Sequence, residues 1–138
     1  MQRYREIEHT ADVGVEIYGA TLEELFRNAG YALCNTMVAV AAIQPVVTRT
    51  VSVNGPDAEA LLMNWLRELL YLCSVYQEVY CEFDFQTICP TELTACIQGE
   101  SLDLEKHRFE TEIKAITYHQ FAVVHHHNGW QARVIFDV

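Results

Sequence analysis

The sequence has 138 residues, of which 51% are hydrophobic, and 19 acidic residues against 9 basic ones give it a net charge of −10. Length and apolar content suit one core, so we expect a single globular domain over residues 1–138. The acidic balance argues against direct nucleic-acid binding. Neither an apolar run of about 18 residues nor a leader-like start is present, so we expect a cytoplasmic protein that does not enter a membrane.

The first quarter of the chain predicts two short strands and a helix. The strands cover residues 2–7 and 13–18, and a polar turn at 8–12 joins them. Thr21 and Glu24 fit a capping box, in which each side chain accepts a hydrogen bond from backbone near the helix start, so a helix should begin directly after the threonine. Its end is left open between residues 35 and 43.

The middle of the chain predicts a strand, a buried helix and two further strands. Residues 46–53 alternate and are rich in β-branched side chains. Asp57 suits the first turn of the next helix, where a carboxylate meets the positive end of the helix dipole. Residues 61–72 are apolar on too many sides for a surface helix, so we expect the central core helix there. Strands are expected at 79–88 and 93–99.

The last third predicts a turn, a strand and a terminal hairpin. The turn is expected at residues 98–101, and the strand at 109–118, either continuous or kinked near Lys114. Asn128-Gly129 is typical of a two-residue type I′ hairpin turn, which needs positive φ at both positions. That turn sets the predicted register of the two arms. The opposed pairs are His127 with Trp130, Val123 with Val134, Phe121 with Phe136, Gln120 with Asp137, and His119 with Val138.

The order of these elements indicates the fold class. Runs of strands broken by two helices favour an α+β fold with a mostly antiparallel or mixed β-sheet packed with two main helices. The five cysteines are odd in number and contain no Cys-x-x-Cys pair, so we expect buried thiols of a cytosolic protein and neither a disulfide framework nor a zinc site. They are Cys34, Cys73, Cys81, Cys89 and Cys96.

Oxygen atoms concentrate at the end of the sequence. The Asp137 carboxylate and the terminal oxygens of Val138 would lie close together on a structured strand, and hard cations such as Ca²⁺, Mg²⁺ or Mn²⁺ prefer such ligands. The same residues are also explained by a solvated acid that prevents further pairing at an edge strand. From this feature alone, that is the better explanation. His9 and Asp12, three apart in a turn, are likewise explained alone by turn chemistry.

Two further groups of polar residues leave open alternatives. In the predicted register Lys114 and His119 run beside the acidic end, where they could orient an anion, or neutralise surplus acids and close a strand end. The run His125-His126-His127 alternates across a strand and cannot share one metal ion without distortion, so we interpret it as incidental. No phosphate loop, nucleophile elbow or zinc-protease motif occurs, and we expect no enzymatic activity of this chain.

Taken in order, several stretches resemble the archease family over essentially the whole chain. Each stretch is a modest signal, and their order together with the Asp-Val ending is specific. The stretches are Glu8-His9-Thr10-Ala11-Asp12-Val13-Gly14, Gly19-x-Thr21-Leu22-Glu23-Glu24, Leu61-Leu62-x-x-Trp65-Leu66-x-Glu68-Leu69-Leu70-Tyr71-Leu72, Gly99-Glu100, Lys106-His107, Glu112-Ile113-Lys114-Ala115-Ile116-Thr117-Tyr118-His119 and Val134-Ile135-Phe136-Asp137-Val138.

The resemblance implies an accessory protein of tRNA splicing. Such a protein helps a GTP-dependent RNA ligase of the RtcB type to turn over, promotes guanylylation of the ligase and can widen its choice of nucleotide. The family's metal positions match Asp12, Asp137 and Val138, so the first turn and the C-terminus become one expected site for a divalent metal ion, Ca²⁺ before Mg²⁺ or Mn²⁺. His9 and Lys114 match positions near that site, and His119 joins them only through the predicted register.

Two other functions stay open beside this one. Two carboxylates and a metal ion could activate water, as in a metal-dependent hydrolase, although no general base at a suitable spacing accompanies them. A chaperone-like protein-binding module is the third hypothesis, and suppression of aggregation in unrelated proteins would distinguish it.

Overall fold

The computed structural model describes residues 2–7 and 12–138, and over these residues it contains seven β-strands and two α-helices. A short 3₁₀ helix, Val40–Ala42, follows the first α-helix. In chain order the elements are β1 (Tyr4–Ile7), β2 (Asp12–Gly19), α1 (Leu22–Met37), β3 (Val47–Asn54), α2 (Ala58–Tyr76), β4 (Glu78–Cys89), β5 (Glu92–Ser101), β6 (Ala115–His126) and β7 (Gly129–Asp137).

The strands form two antiparallel sheets, and both helices contact both sheets. One sheet has the order β1-β2-β7-β6 and the other β3-β5-β4. Helix α1 packs on β2 and β4, while α2 packs on β3, β4 and β6. The predicted α+β class with two main helices is therefore confirmed. Among the described residues no helix is long and apolar enough to cross a membrane.

Helix α1 begins where the capping box predicts. Thr21 Oγ1 accepts a hydrogen bond from the Glu24 N–H at 3.1 Å, and Glu24 Oε1 accepts one from the Ala20 N–H at 3.2 Å. These contacts satisfy backbone donors that the first turn of a helix leaves unpaired. The question left open at the other end is settled at Met37, since Val38 is extended.

Helix α2 is the central core helix, as predicted. The Asp57 side chain lies one step before the first turn and caps it by accepting from the Ala60 N–H at 2.8 Å. Trp65 is fully buried, and its indole N–H donates to the Phe26 carbonyl of α1 at 3.0 Å. The same bond that satisfies the buried indole therefore ties the two helices together.

The predicted turn at residues 98–101 is wrong, because these residues belong to β5. Glycine is common in turns, but Gly99 lies where the backbones of two neighbouring strands come close together. A Cβ atom added there would lie only 1.9 Å from the Val79 carbonyl oxygen of β4. Glycine at this position is required by packing of backbone against backbone.

The predicted strand at 109–118 is only partly correct, since β6 begins at Ala115. Phe109 forms a single bridge with Val38. The Glu110 N–H donates to the Met37 carbonyl at 2.8 Å, and the Lys114 N–H donates to the Asp137 carbonyl at 2.7 Å. Residues 110–114 thus run from α1 to the end of β7 outside any strand.

The predicted hairpin register is also wrong. The two turn residues are His127 and Asn128, and neither has a positive φ. Gly129, the next residue, has a φ of 134°, so the type I′ turn does not form. His125 pairs with Trp130, and farther along residues 118–121 of β6 stand opposite Val134 alone. This bulge has a packing reason. Ile116 and Phe121 are an odd number of residues apart and are both buried, which a regular alternating strand does not allow.

The cysteines are all free thiols, and two of the five match the expectation of burial. Cys34 and Cys73 are buried, Cys81 and Cys96 are half-buried, and Cys89 is exposed. Desolvation raises the pKa of Cys81, and the hydrogen bond that the Cys73 thiol shares with Cys34, together with burial, raises the pKa of Cys73. These shifts keep both thiols protonated and chemically quiet.

Candidate functional site

The end of β7 lies in the interior of the four-stranded sheet, with β2 on one side and β6 on the other. Asp137 is directly opposite Asp12 on β2 and directly opposite Ala115 on β6. Residues opposed in an antiparallel pair have Cβ atoms about 4.5–5.5 Å apart on the same face of the sheet. The two aspartates expected to converge therefore do lie side by side, Asp12 half-buried and Asp137 exposed.

Neighbouring contacts fix the position of this strand end. Phe136, one residue before Asp137, is fully buried opposite Val13. The Asp137 carbonyl is held by the Lys114 N–H at 2.7 Å, and Val138 is half-buried against the core. A strand end tied in this way does not fray as free termini do. Asp137 and Val138 consequently occupy defined positions beside Asp12.

The side-chain and backbone acceptor atoms at this place are oxygens. Two like charges directly opposite each other across a strand pair are destabilising, and a cation bound between them would reduce that repulsion. Carboxylate and carbonyl oxygens are the ligands that Ca²⁺ and Mg²⁺ prefer. Over residues 2–7 and 12–138, however, no group of three or more His, Cys, Asp or Glu side chains is arranged to hold a metal ion.

The supporting residues differ in where they lie. His9 falls outside the described residues. Lys114 is exposed and directly precedes Ala115, so its backbone is part of the site. His119 is not opposite Val138, because the bulge places it toward the hairpin tip, where its N–H donates to Thr117 Oγ1 at 2.8 Å. Of Lys114 and His119, only Lys114 therefore lies next to Asp137.

An ion cluster on the same face was missed by the sequence reasoning. Glu16, two alternations along β2 from Asp12, accepts from Arg5 at 2.9 Å and from Arg133 at 2.9 Å. The hydrogen bond from Arg133, followed by those from Arg5 and Tyr18, lowers the pKa of the Glu16 carboxyl. The signal available in the sequence was the alternation of β2 and β7, which with the correct register places Glu16 opposite Arg133.

A second missed cluster surrounds Glu100 on β5. Its Oε1 lies 2.6 Å from Lys106 Nζ, and its Oε2 accepts from the Gln44 N–H and lies 3.2 Å from His107 Nε2. The hydrogen bond from Lys106 is the largest cause that lowers the pKa of Glu100 to about 2. Buried His107 also accepts from the Asp103 N–H at 2.9 Å through Nδ1. The Gly99-Glu100 and Lys106-His107 stretches therefore fasten residues 102–107 to β5.

The histidine run has a structural explanation at one of its members. The His125 ring stacks on Trp130 with centroids 3.9 Å apart and planes inclined by 5°. His126 and His127 are exposed at the hairpin tip. Neither lies beside Asp137, so the run is separate from the candidate site.

Comparison with known proteins agrees with this architecture. Residues 4–138 match the model of the Archease protein family. The archease of Methanosarcina barkeri is 39% identical over 141 residues, which cover 99% of this chain and 97% of that protein. The solution structure of Methanobacterium thermoautotrophicum protein 1598 superposes with a TM-score of 0.84 at 29% identity, and covers 100% of both chains.

A second solved structure supports the fold alone. The crystal structure of an archease from Thermotoga maritima, described as a possible chaperone, superposes with a TM-score of 0.68 at 23% identity. It covers 97% of this chain and 96% of its own. The match to the family model over nearly every residue, together with relatives of almost equal length, identifies the chain: it belongs to the archease family.

Proposed function

We propose that this protein is an accessory factor of a GTP-dependent RNA ligase of the RtcB type in tRNA splicing. In this proposal it promotes guanylylation of the ligase's active-site histidine, allows multiple turnover and widens the ligase's choice of nucleoside triphosphate, without being an enzyme itself. Membership of the archease family supports the assignment. The observation that carries it to particular residues is the direct opposition of Asp12 and Asp137 at the end of β7.

The two aspartates and Val138 would hold a divalent metal ion, Ca²⁺ or one of its substitutes Mg²⁺ and Mn²⁺. When bound, the ion supplies positive charge that can draw phosphate oxygens of the partner's nucleotide toward the site. Asp12 and Asp137 offer carboxylate oxygens from two strands, and Val138 offers an oxygen from the residue that follows. Lys114 holds the Asp137 backbone in place, and we assign it and His9 positioning roles.

The overall charge supports a protein partner over a direct RNA contact. With a net charge of −10, this chain would repel phosphate rather than release counterions from it. A ligase that binds RNA presents basic surface, and complementary charge speeds and orients the encounter of two proteins. The acidic protein would thus reach the ligase without competing as an RNA binder.

A matched pair of aspartate variants tests the role of the site. Asp137→Asn removes one carboxylate beside Asp12, whereas Asp84→Asn removes an exposed carboxylate from β4 in the other sheet. We expect Asp137→Asn to weaken Ca²⁺ or Mn²⁺ binding in calorimetry by tenfold or more, on the order of 1.4 kcal/mol, and to reduce the ligase–GMP adduct. The Asp84→Asn protein should behave as the wild type. Equal metal binding and equal adduct in both variants would refute the assignment.

A chaperone-like role is the second candidate, and exposed apolar side chains favour it. Leu104 is 72% exposed and Tyr118 is 64% exposed, and the Thermotoga maritima relative is described as a possible chaperone. Such a role predicts that the protein suppresses aggregation of an unrelated unfolding protein in the absence of ligase. Light scattering of heated citrate synthase with and without this chain separates the two functions.

A further inference from the structure

An apolar groove lies between the C-terminal half of α2 and the segment of residues 102–113, and we call it the α2 groove. Its volume is about 410 Å³. That volume is in the range of sites that accept apolar side chains or small ligands. Half of the residues that line it are apolar residues of α2 and of this segment: Leu70, Cys73, Leu102, Leu104, Phe109 and Ile113.

Large apolar side chains of the α2 groove remain in contact with solvent. Leu104 is 72% exposed and Phe109 is 39% exposed. Tyr71, on the next cavity along α2, is 58% exposed. A cluster of exposed apolar groups around a concave surface is typical of an interaction site, whereas single exposed side chains are not.

The segment that carries Leu104 and Phe109 is fastened at both ends. On the N-terminal side Glu100 holds Lys106 at 2.6 Å, and His107 is fully buried. On the C-terminal side the Glu110 N–H donates to the Met37 carbonyl at 2.8 Å. The two apolar side chains are therefore presented by a fixed backbone, which reduces the ordering entropy that binding has to overcome.

The α2 groove leads to the strand end that carries Asp137. A second cavity shares Leu70, Ser74, Glu112 and Ile113 with it and extends to Lys114 and Ala115. Ala115 is directly opposite Asp137 on β6. One molecule could therefore occupy the groove and reach the proposed metal site at the same time.

The charge around the α2 groove is negative. Two bases of the segment are already in ion pairs, Lys106 with Glu100 at 2.6 Å and Arg108 with Glu110 at 3.3 Å. Asp103, Glu105 and Glu112 then outnumber Lys114 and Arg67, the bases that line the adjoining cavity. The whole chain carries a net charge of −10. An apolar wall with an acidic rim is complementary to a segment that has both apolar and basic side chains.

We infer that the α2 groove binds a positively charged segment of the partner ligase, whose apolar side chains insert beside Leu104 and Phe109. The inference rests on the proposed function and adds a second contact to the metal-dependent one. The groove provides affinity and orientation, while the aspartates act at the ligase's nucleotide.

The test measures binding of the purified ligase by calorimetry with two matched variants. Leu104→Glu removes an apolar side chain from the α2 groove, and since its charge has the same sign as the acidic rim, a weaker complex would report the lost apolar contact. Val124→Glu changes a side chain that is 45% exposed on β6, paired with Gln131 on the sheet face away from the helices. We expect Leu104→Glu to raise the Kd roughly tenfold or more and Val124→Glu to leave it within about twofold. Leu104→Ser serves as a milder second variant, and circular dichroism checks that each protein is folded.

Charge reversal provides an independent arm of the test. Glu112→Lys should raise the Kd and make it less sensitive to added salt than that of the wild-type protein. Binding by wild type with an equal Kd for Leu104→Glu, Leu104→Ser and Glu112→Lys would overturn the groove and leave the proposed function intact. No binding by the wild type would overturn both. Loss of self-association in Leu104→Glu, with ligase binding unchanged, would assign the groove to a second copy of this chain and overturn the inference.

Discussion

At the scale of single residues, Glu100 joins three separate parts of the chain. Its carboxylate contacts Lys106 at 2.6 Å, His107 at 3.2 Å and the backbone of Gln44. These contacts favour the charged form, so the pKa of Glu100 is about 2, below its ordinary value of 4.5. A carboxyl whose folded-state pKa is lowered stabilises the fold above its unfolded pKa, and that stability is lost as the pH falls through the folded value.

Glu100→Gln should therefore destabilise the protein at neutral pH. We expect a loss of only about 1 kcal/mol, because solvent screens the ion pair with Lys106. The difference from the wild type should shrink as the pH falls from 4.5 to about 2. Urea unfolding at a series of pH values measures it. Glu82→Gln, at an exposed position of β4, is the control. A difference that stays constant across this pH range would contradict the assigned cause.

At the scale of elements, the two tryptophans have different roles: one connects the two helices, and the other makes a contact near the surface. Trp65 of α2 is fully buried and donates to the Phe26 carbonyl of α1, while half-buried Trp130 of β7 stacks on His125. Only the first holds one core element against another, since its buried indole N–H finds its acceptor on the other helix.

Trp65→Phe should cost about 3 kcal/mol of unfolding free energy, because it leaves a cavity and removes the buried hydrogen bond between α2 and α1. Trp130→Phe keeps an aromatic ring at a half-buried position and should cost about 1 kcal/mol or less. Chemical unfolding followed by circular dichroism compares the two variants. Similar losses in both would show that the bond between α1 and α2 contributes little.

At the scale of the whole molecule, local sequence signals predicted most helices and strands. Strand register and the β6 bulge depend on packing between residues distant in sequence, which those signals do not report. Thr21 and Asp57 marked both helix starts because caps depend on neighbouring backbone alone. Gly99 was mistaken for a turn residue because its true constraint, the Val79 carbonyl of the adjacent strand, is distant in sequence. The bulge at 118–121 was missed for the same reason, and with it the true place of His119.

The candidate site was predictable only through the family resemblance. Asp12 and Asp137 each had a sufficient structural explanation, and no spacing rule joins residues at opposite ends of a chain. Their direct opposition depends on β7 lying between β2 and β6. The supporting role of Lys114 depends on β6 beginning at Ala115, a start that the alternating pattern of residues 109–118 left open.

The net charge of −10 also makes a prediction at this scale. Association with a basic ligase surface should be fast at low ionic strength. It should slow as added salt shortens the Debye length, which is about 10 Å near 0.1 M. Stopped-flow association rates over a salt series measure the effect. A rate independent of salt would mean that charge does not guide the encounter.

The most direct measurement is RNA joining by the organism's own RtcB-type ligase with RNA in excess, with and without this protein, while product and ligase-bound GMP are both followed. The account predicts that joining passes from a single round to many and that the GMP adduct rises. It also predicts that Asp137→Asn abolishes this gain. Unchanged turnover and unchanged adduct in the presence of the folded wild-type protein would contradict the proposed function.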